Sequence, residues 1–443
     1  MTNLSKKNAS IIISASWIFT SNAEGELLSD HSIVIKNDKI IDLVPQSKVF
    51  DDYEASDIYD LSDHILIPGL INTHTHAAMS IFKGFSDDLP LQDWLNNHIW
   101  PAEKKFVNSS FVKDGSLLAL SEMLKSGITT FNDMYFFPDA TAEAVKEIGV
   151  RGNIGLVVLD FPTNYAADPE DYLLKGFDFI DKWRNEELIT TCIAPHAPYS
   201  VSDEAFNLIN TYAEELNINI HTHLHETQWE VDDSIAKYGI TPVQRLNNLG
   251  IIGPSLMAAH CVHLNDQDML TLAKNKVNII HNPSSNMKLG SGISDTSRML
   301  EQNLNISLGS DGSASNNRLD IMEEMRLAAL LIKGSTKSPE LLPAKEVIKM
   351  ATINGAKALG LESEIGSIEI NKKADIVAIN LNSIENQPVF NPLSTLVYSS
   401  SRSDINHVWI NGIIKLKDKN LVNIDEDLII QLAKKWQRKL KKI

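Results

Sequence analysis

Both ends of the chain read as β-like, short apolar runs punctuated by turn residues, and the middle reads differently. From Ser10 to about Ile67 the text runs IIISASWIFT, then the turn signal NAEGELLSD, then SIVIKNDKIIDLV, broken at a tight Asn37-Asp38 turn. The same texture returns after Gly366 in GSIEINKKADIVAIN and in HVWINGIIKLKDKNLV, where Asn411-Gly412 is a strong hairpin signal.

Between about Pro68 and Gly360, short apolar runs alternate with amphipathic stretches. ITTFNDM, GNIGLVVLD, ITTCIAPH, NINIHTHLHE, SLMAAHCVHL, VNIIHNP and ISLGSDG predict strands. DGSLLALSEMLKSG, DEAFNLINTYAEELN, DQDMLTLAKNK and DIMEEMRLAALLIKG predict helices, the first closed by a glycine. Repeated strand-then-helix units point to an α/β fold with a parallel sheet, and a doubly wound open sheet would give the same alternation. That fold needs a Gly-rich turn after its first strand, and none is present. Chemistry-bearing His, Asp and Glu residues instead fall at the C-terminal ends of at least five strand candidates, the placement used by a (β/α)8 barrel. The expected division is therefore residues 1–67 and 366–443 as the two parts of a β-sandwich, with 68–365 as the barrel. The terminal EDLIIQLAKKWQRKLKKI reads as a helix whose basic last turns are solvated and complement its dipole.

A formal charge of -17 argues against a nucleic-acid backbone or an anionic membrane as partner, since both would be repelled, and leaves small molecules. Only Cys192 and Cys261 occur, without a CxxC, so neither a disulfide framework nor a thiolate zinc site is indicated; any metal must be held by His and carboxylates. Lys6 and Lys7 before Ile11 to Ile13 superficially resemble a secretion signal. Polar residues soon break that run and no convincing cleavage site follows, and no stretch approaches the roughly 18 apolar residues of a membrane span. A cytoplasmic protein is expected.

Four clusters carry chemistry. In PGLINTHTHAAM, His74 and His76 stand two apart directly after an apolar strand, so both imidazoles share one face and reach one ion. In INIHTHLHETQ, His221, His223 and His225 also share a face; a single-metal site needs one of them, and His223 lets Glu226 bend back beside the ion as proton carrier. AAHCVHL brings His260 and His263, and SLGSDGSASNN brings Asp311 at a strand end. Singly, each has a plain structural explanation, a turn former or a hydrogen-bonded core histidine. Together, in this order along one barrel-like pattern, they indicate a metal centre with a protonatable carboxylate.

PGLINTHTH, HLHET, AAHCVHL and SDG in this order resemble the amidohydrolase superfamily. HAAMSIFKGFSDDLPLQDWLNNHIWPAE, APHAPYS and HNPSSNMKLGSG sharpen the resemblance to the 5-methylthioadenosine/S-adenosylhomocysteine deaminase family, over about residues 10 to 420. The resemblance implies a (β/α)8 barrel with a small β-sandwich built from both termini, and a homodimer or tetramer. It implies His74, His76, His223 and Asp311 as ligands of one divalent metal, and Glu226, His260 and Asp311 as the proton-handling groups that deaminate a purine nucleoside at its 6-amino group. Zinc suits three imidazoles and a carboxylate, and ferrous iron or manganese would also accept them. No lysine stands at the end of ITTCIAPH to bridge a second ion. Among substrate contacts it implies Glu103 for the ribose hydroxyls, His196 against the substrate, and Arg151 toward the tail, placed to pair with a homocysteine carboxylate.

Other deaminases or chlorohydrolases of the superfamily, acting on guanine, 8-oxopurine, pterin or triazine rings, would share the metal site. Glu103 separates them, because a free base has no ribose. A non-catalytic barrel retaining the fold as a binding protein is the remaining alternative, and such a protein would tend to lose the ligands or the proton carrier that this chain keeps.

Overall fold

The structure, a computed structural model, describes residues 6–442. The eight barrel strands are β5 (Leu70–Thr75), β6 (Ile128–Tyr135), β7 (Arg151–Val158), β8 (Ile189–Pro195), β9 (Asn219–Leu224), β10 (Leu256–His260), β11 (Asn278–His281) and β12 (Asn305–Leu308). Each pairs in parallel with the next, in sequence order. These strands are buried on both faces, which is why they read as continuous apolar runs rather than as alternation. Hydrogen bonds close the ring between the first and last strands: Thr73 Oγ1 donates to Leu308 O at 2.8 Å, and beyond β12 Asn72 Nδ2 donates to Ser310 Oγ at 2.7 Å and Asp311 N to His74 O at 2.9 Å.

The remaining strands are β1 (Lys7–Phe19), β2 (Leu27–Lys36), β3 (Lys39–Pro45) and β4 (Tyr53–Pro68) from the N-terminal part, and β13 (Ile376–Asn380), β14 (Ile405–Ile410), β15 (Ile413–Lys417) and β16 (Asn420–Leu421) from the C-terminal part. They form one mixed sheet in the order β16-β15-β14-β13-β4-β1-β2-β3, so the two chain ends join through the β13–β4 pair. The sheet bends over itself, and Ile13, Ile33, Leu66, Ile376 and Trp409 meet in a shared core. Asn37, Asn411 and Gly412 all take left-handed φ values, the conformation that two-residue hairpin turns demand.

The basic residues in the last turns of the C-terminal helix Glu426–Leu440 are exposed, as expected, while its apolar side is not. Trp436 and Leu440 are buried, the Trp436 ring packs edge-on to Phe111 at 5.0 Å, and its Nε1 donates to Asp114 Oδ2 at 2.7 Å. The helix thus docks on the barrel helix Ser109–Lys125. Exposed basic residues flank this apolar packing face, Lys435 Nζ lying 3.5 Å from Asp114 and Lys439 Nζ 3.8 Å over the Trp436 ring. Among the described residues no helix is long and apolar enough to cross a membrane.

Candidate active site

His74 sits within β5, His76 one residue past its end, His223 in β9, His260 at the last position of β10, and Asp311 three residues beyond β12. Parallel strands place all five at one mouth of the barrel. The chain turns sharply there: His225, His260 and Asp311 have φ values of 52, 73 and 61°, left-handed conformations that non-glycine residues adopt only when their surroundings hold them.

The side chains converge. His76 Nε2 lies 3.3 Å from His223 Nε2 and 3.3 Å from Asp311 Oδ1, and His74 Nε2 lies 3.4 Å from the same carboxylate oxygen. Bonds of about 2.0–2.2 Å to a tetrahedral ion would separate its ligands by about 3.3–3.5 Å, which these pairs match. Each imidazole is fixed through its other nitrogen. His76 Nδ1 donates to Met134 O at 2.6 Å and His223 Nδ1 to His196 O at 2.6 Å, so both Nε2 atoms carry free lone pairs. His221 Nδ1 donates to Met257 O at 3.2 Å, so its Nε2 accepts from His74 Nδ1 at 2.8 Å, and His74 Nε2 is likewise a lone pair. That buried atom has no hydrogen-bond partner in the protein. The donor set fits a divalent cation, and His260, whose nitrogen lies within 4.8 Å of those of His74 and His223, borders the same centre.

Charge agrees with geometry. Burial drives the His74 pKa down to about 4 and pushes His221 and His223 well below the ordinary histidine value, which favours their neutral forms, the state in which an imidazole can bind a metal. Burial also pulls on His76, but the facing Asp311 carboxylate outweighs it and raises the pKa to about 9, placing at Nε2 a proton that a bound cation would displace. The cluster therefore attracts positive charge at its centre. The second oxygen of Asp311 accepts from Ser285 Oγ at 2.6 Å and Ser315 Oγ at 2.8 Å, which fixes the carboxylate plane.

Glu226 reaches the same space, its Oε2 4.0 Å from His260 Nε2, and burial raises its pKa. His260 is aimed by Asn286, whose Oδ1 accepts from His260 Nδ1 at 2.7 Å. The turn carrying Glu226 is gripped by Glu230, whose two carboxylate oxygens accept the backbone N–H groups of His225 at 3.0 Å and Glu226 at 2.8 Å. Glu103, in the helix Trp100–Phe106, faces the same cavity of about 450 Å³; Tyr135 Oη donates to its Oε1 at 2.7 Å, while burial lifts its pKa to about 7. His196 lines this cavity with its ring, its Nδ1 2.9 Å from Ser200 Oγ.

Arg151 does not join them. It is the first residue of β7, at the opposite end of the barrel, where Nη2 donates to Asn411 Oδ1 at 2.6 Å and pairs with Asp375 Oδ2 at 3.3 Å. It is buried and ties the barrel floor to the mixed sheet, so the expected contact with a substrate tail is corrected to a structural one. The reason is strand direction: sites form at C-terminal strand ends, and this arginine opens its strand. Three contributors escape sequence reading. His221 shows only as a third histidine on the face of His223, and its relay to His74 depends on ring orientation. Glu230 and Tyr135 stand in unremarkable polar settings, and only the fold brings them against Glu226 and Glu103.

Residues 65–414 match the model of the amidohydrolase family. A 5-methylthioadenosine/S-adenosylhomocysteine deaminase from Saccharophagus degradans is 42% identical over 99% of this chain and 98% of its own length. A 5'-deoxyadenosine deaminase from Methanosarcina barkeri is 40% identical over 98% of each. Among solved structures, a zinc-bound adenosine deaminase from Xanthomonas campestris superposes with a TM-score of 0.97 at 36% identity, covering 99% of this chain and 100% of that one. A zinc-bound atrazine chlorohydrolase from Arthrobacter aurescens, with a TM-score of 0.90 at 23% identity over 96% of this chain and 99% of its own, shares the fold. With sequence, ring topology and donor cluster in accord, the chain belongs to the amidohydrolase family, among its 5-methylthioadenosine/S-adenosylhomocysteine deaminases.

Proposed function

We propose that the protein hydrolytically deaminates adenosine-type thioether nucleosides, replacing the 6-amino group by oxygen to give the inosine analogue and ammonia. His74, His76, His223 and Asp311 would hold one divalent ion, zinc on the character of the donors and by likeness to the zinc-bound relative. When bound, such an ion supplies Lewis acidity that lowers the pKa of a water from about 16 to about 7.

The chain's own groups divide the proton work. Asp311 takes the proton of the attacking water, and the oxygen adds to C6 of the purine. Glu226 delivers a proton to N1, a task favoured by the burial that raises its pKa above the ordinary carboxylate value. His260, held by Asn286, orients the incoming oxygen. The proton taken up by Asp311 passes to the exocyclic nitrogen, the C6–N bond breaks and ammonia leaves, and the hydroxyl proton on C6 returns to Glu226 as the 6-oxo group forms. Glu103 accepts the ribose hydroxyls, and His196 packs beside the bound base. Two buried free thiols, Cys192 and Cys261, suit the reducing cytoplasm.

The observation that carries this reading is the approach of His74 and His76 to one Asp311 oxygen, at 3.4 and 3.3 Å, and of His223 to His76 at 3.3 Å, beside a buried Glu226. Purified protein should release ammonia from 5'-methylthioadenosine with the absorbance change of a purine C6 exchange. Glu226→Gln should keep its metal and lose about 10²- to 10⁴-fold in turnover, the usual share of a general acid-base group. Full turnover in that variant would refute the assignment.

A further inference from the structure

We infer that the recess beyond Glu103 selects nucleosides with an uncharged, apolar 5' substituent, a thioalkyl or a bare methyl, and discriminates against a zwitterionic amino-acid tail. The inference rests on the nucleoside reading above and goes further in naming which thioether the site accepts.

Glu103 marks where the ribose lies, so the 5' substituent meets whatever stands beyond it. Trp100 lies three residues earlier on the same helix face and packs against Phe161, ring centres 5.8 Å apart, on the loop that follows β7. Trp94, Phe136, Phe137 and Leu159 extend this wall. Asn164, on the same loop, points its Nδ2 at the carbonyls of Lys104 at 2.9 Å and Val107 at 3.0 Å, tying the two walls together. A substituent placed there is held against aromatic carbon.

Among the described residues no arginine lines the cavity. Arg151 is spent at the barrel floor on Asp375 and Asn411. The lining carboxylates are Glu103, Glu226 and Asp311, and the lining lysine, Lys104, is exposed at the rim. An amino-acid carboxylate entering the recess would lose water and find as cationic partner only the exposed Lys104 at the rim, and an already acidic cavity in a chain of charge -17 would repel it. A methylthio group loses nothing comparable, and sulfur packs well at aromatic ring edges.

The test is kcat/KM of the metal-loaded enzyme on 5'-methylthioadenosine, 5'-deoxyadenosine, S-adenosylhomocysteine and 5'-isobutylthioadenosine, the last being bulky but neutral so that size is separated from charge. The two small neutral nucleosides and the isobutyl analogue should fall within about tenfold of one another, and S-adenosylhomocysteine about 100-fold or more below them. Phe161→Arg should narrow that gap by raising S-adenosylhomocysteine turnover about tenfold or more. S-adenosylhomocysteine turned over as well as 5'-methylthioadenosine would overturn the inference, as would equal rejection of the isobutyl analogue. Absence of turnover with all four would instead remove the nucleoside reading and the selectivity with it.

Discussion

Glu230 holds Glu226 by the backbone: its Oε2 accepts the Glu226 N–H at 2.8 Å while its other oxygen takes that of His225, and the grip fixes a turn whose first residue is in left-handed conformation. A carboxylate supplies two acceptors there, whereas an amide supplies one and sets an N–H2 against a backbone donor. Leaving a buried N–H unsatisfied costs about 1–3 kcal/mol. Glu230→Gln should therefore lower kcat about 10- to 100-fold through misplacement of Glu226, with KM and bound metal unchanged. Steady-state kinetics with metal analysis checks this, and a fall in metal content equal to the fall in rate would assign Glu230 a merely architectural part.

His221 fixes His74 through a ring-to-ring hydrogen bond of 2.8 Å, itself anchored on Met257 O. Such outer partners are worth about 10- to 100-fold in metal affinity. His221→Ala should weaken metal binding by that factor, read by competition with a chromophoric chelator, and excess metal should restore most of the activity.

Glu103 has a pKa lifted from 4.5 to about 7, chiefly by burial. Its ionised form, the one that accepts two ribose hydroxyls, is present above that value and lost as pH falls through it. KM for the nucleoside should accordingly rise about tenfold between pH 8 and pH 6, following the fraction ionised. Tyr135→Phe removes the donor that favours the carboxylate and should move the rise to higher pH. A pH-independent KM in the native enzyme would deny Glu103 this role.

Arg151 makes the opposite case. It is 3% exposed, and breaking a buried charged pair typically costs about 3–5 kcal/mol. Arg151→Met should lower the unfolding free energy by about that amount in denaturant titration while leaving KM for every nucleoside where it was. A selective rise in KM for a substrate with an amino-acid tail would restore the arginine to the site.

Much of the architecture is legible in the sequence because two physical periods mark it. Fully buried parallel strands read as apolar runs, and His74, His76, His223, His260 and Asp311 stand at or just past the ends of such runs, where barrel geometry gathers them. Arg151 is equally open to reading by that rule, since its place directly before GNIGLVVLD puts it on the floor. Orientation is what the residue pattern does not carry. Whether His221 packs or relays depends on which nitrogen faces His74, and Glu230 meets Glu226 only because the chain reverses between β9 and the helix that follows. The terminal helix shows its stripe in the text, but its basic last turns mask a face that docks on Phe111.

The ring meets itself where β5 lies beside β12, and His74 and Asp311 approach each other across that junction. An ion shared between them would act as a clasp joining the earliest and latest staves of the cylinder. Its capture would reward completed closure and nothing earlier, and its withdrawal would loosen the wall at that one join before any other.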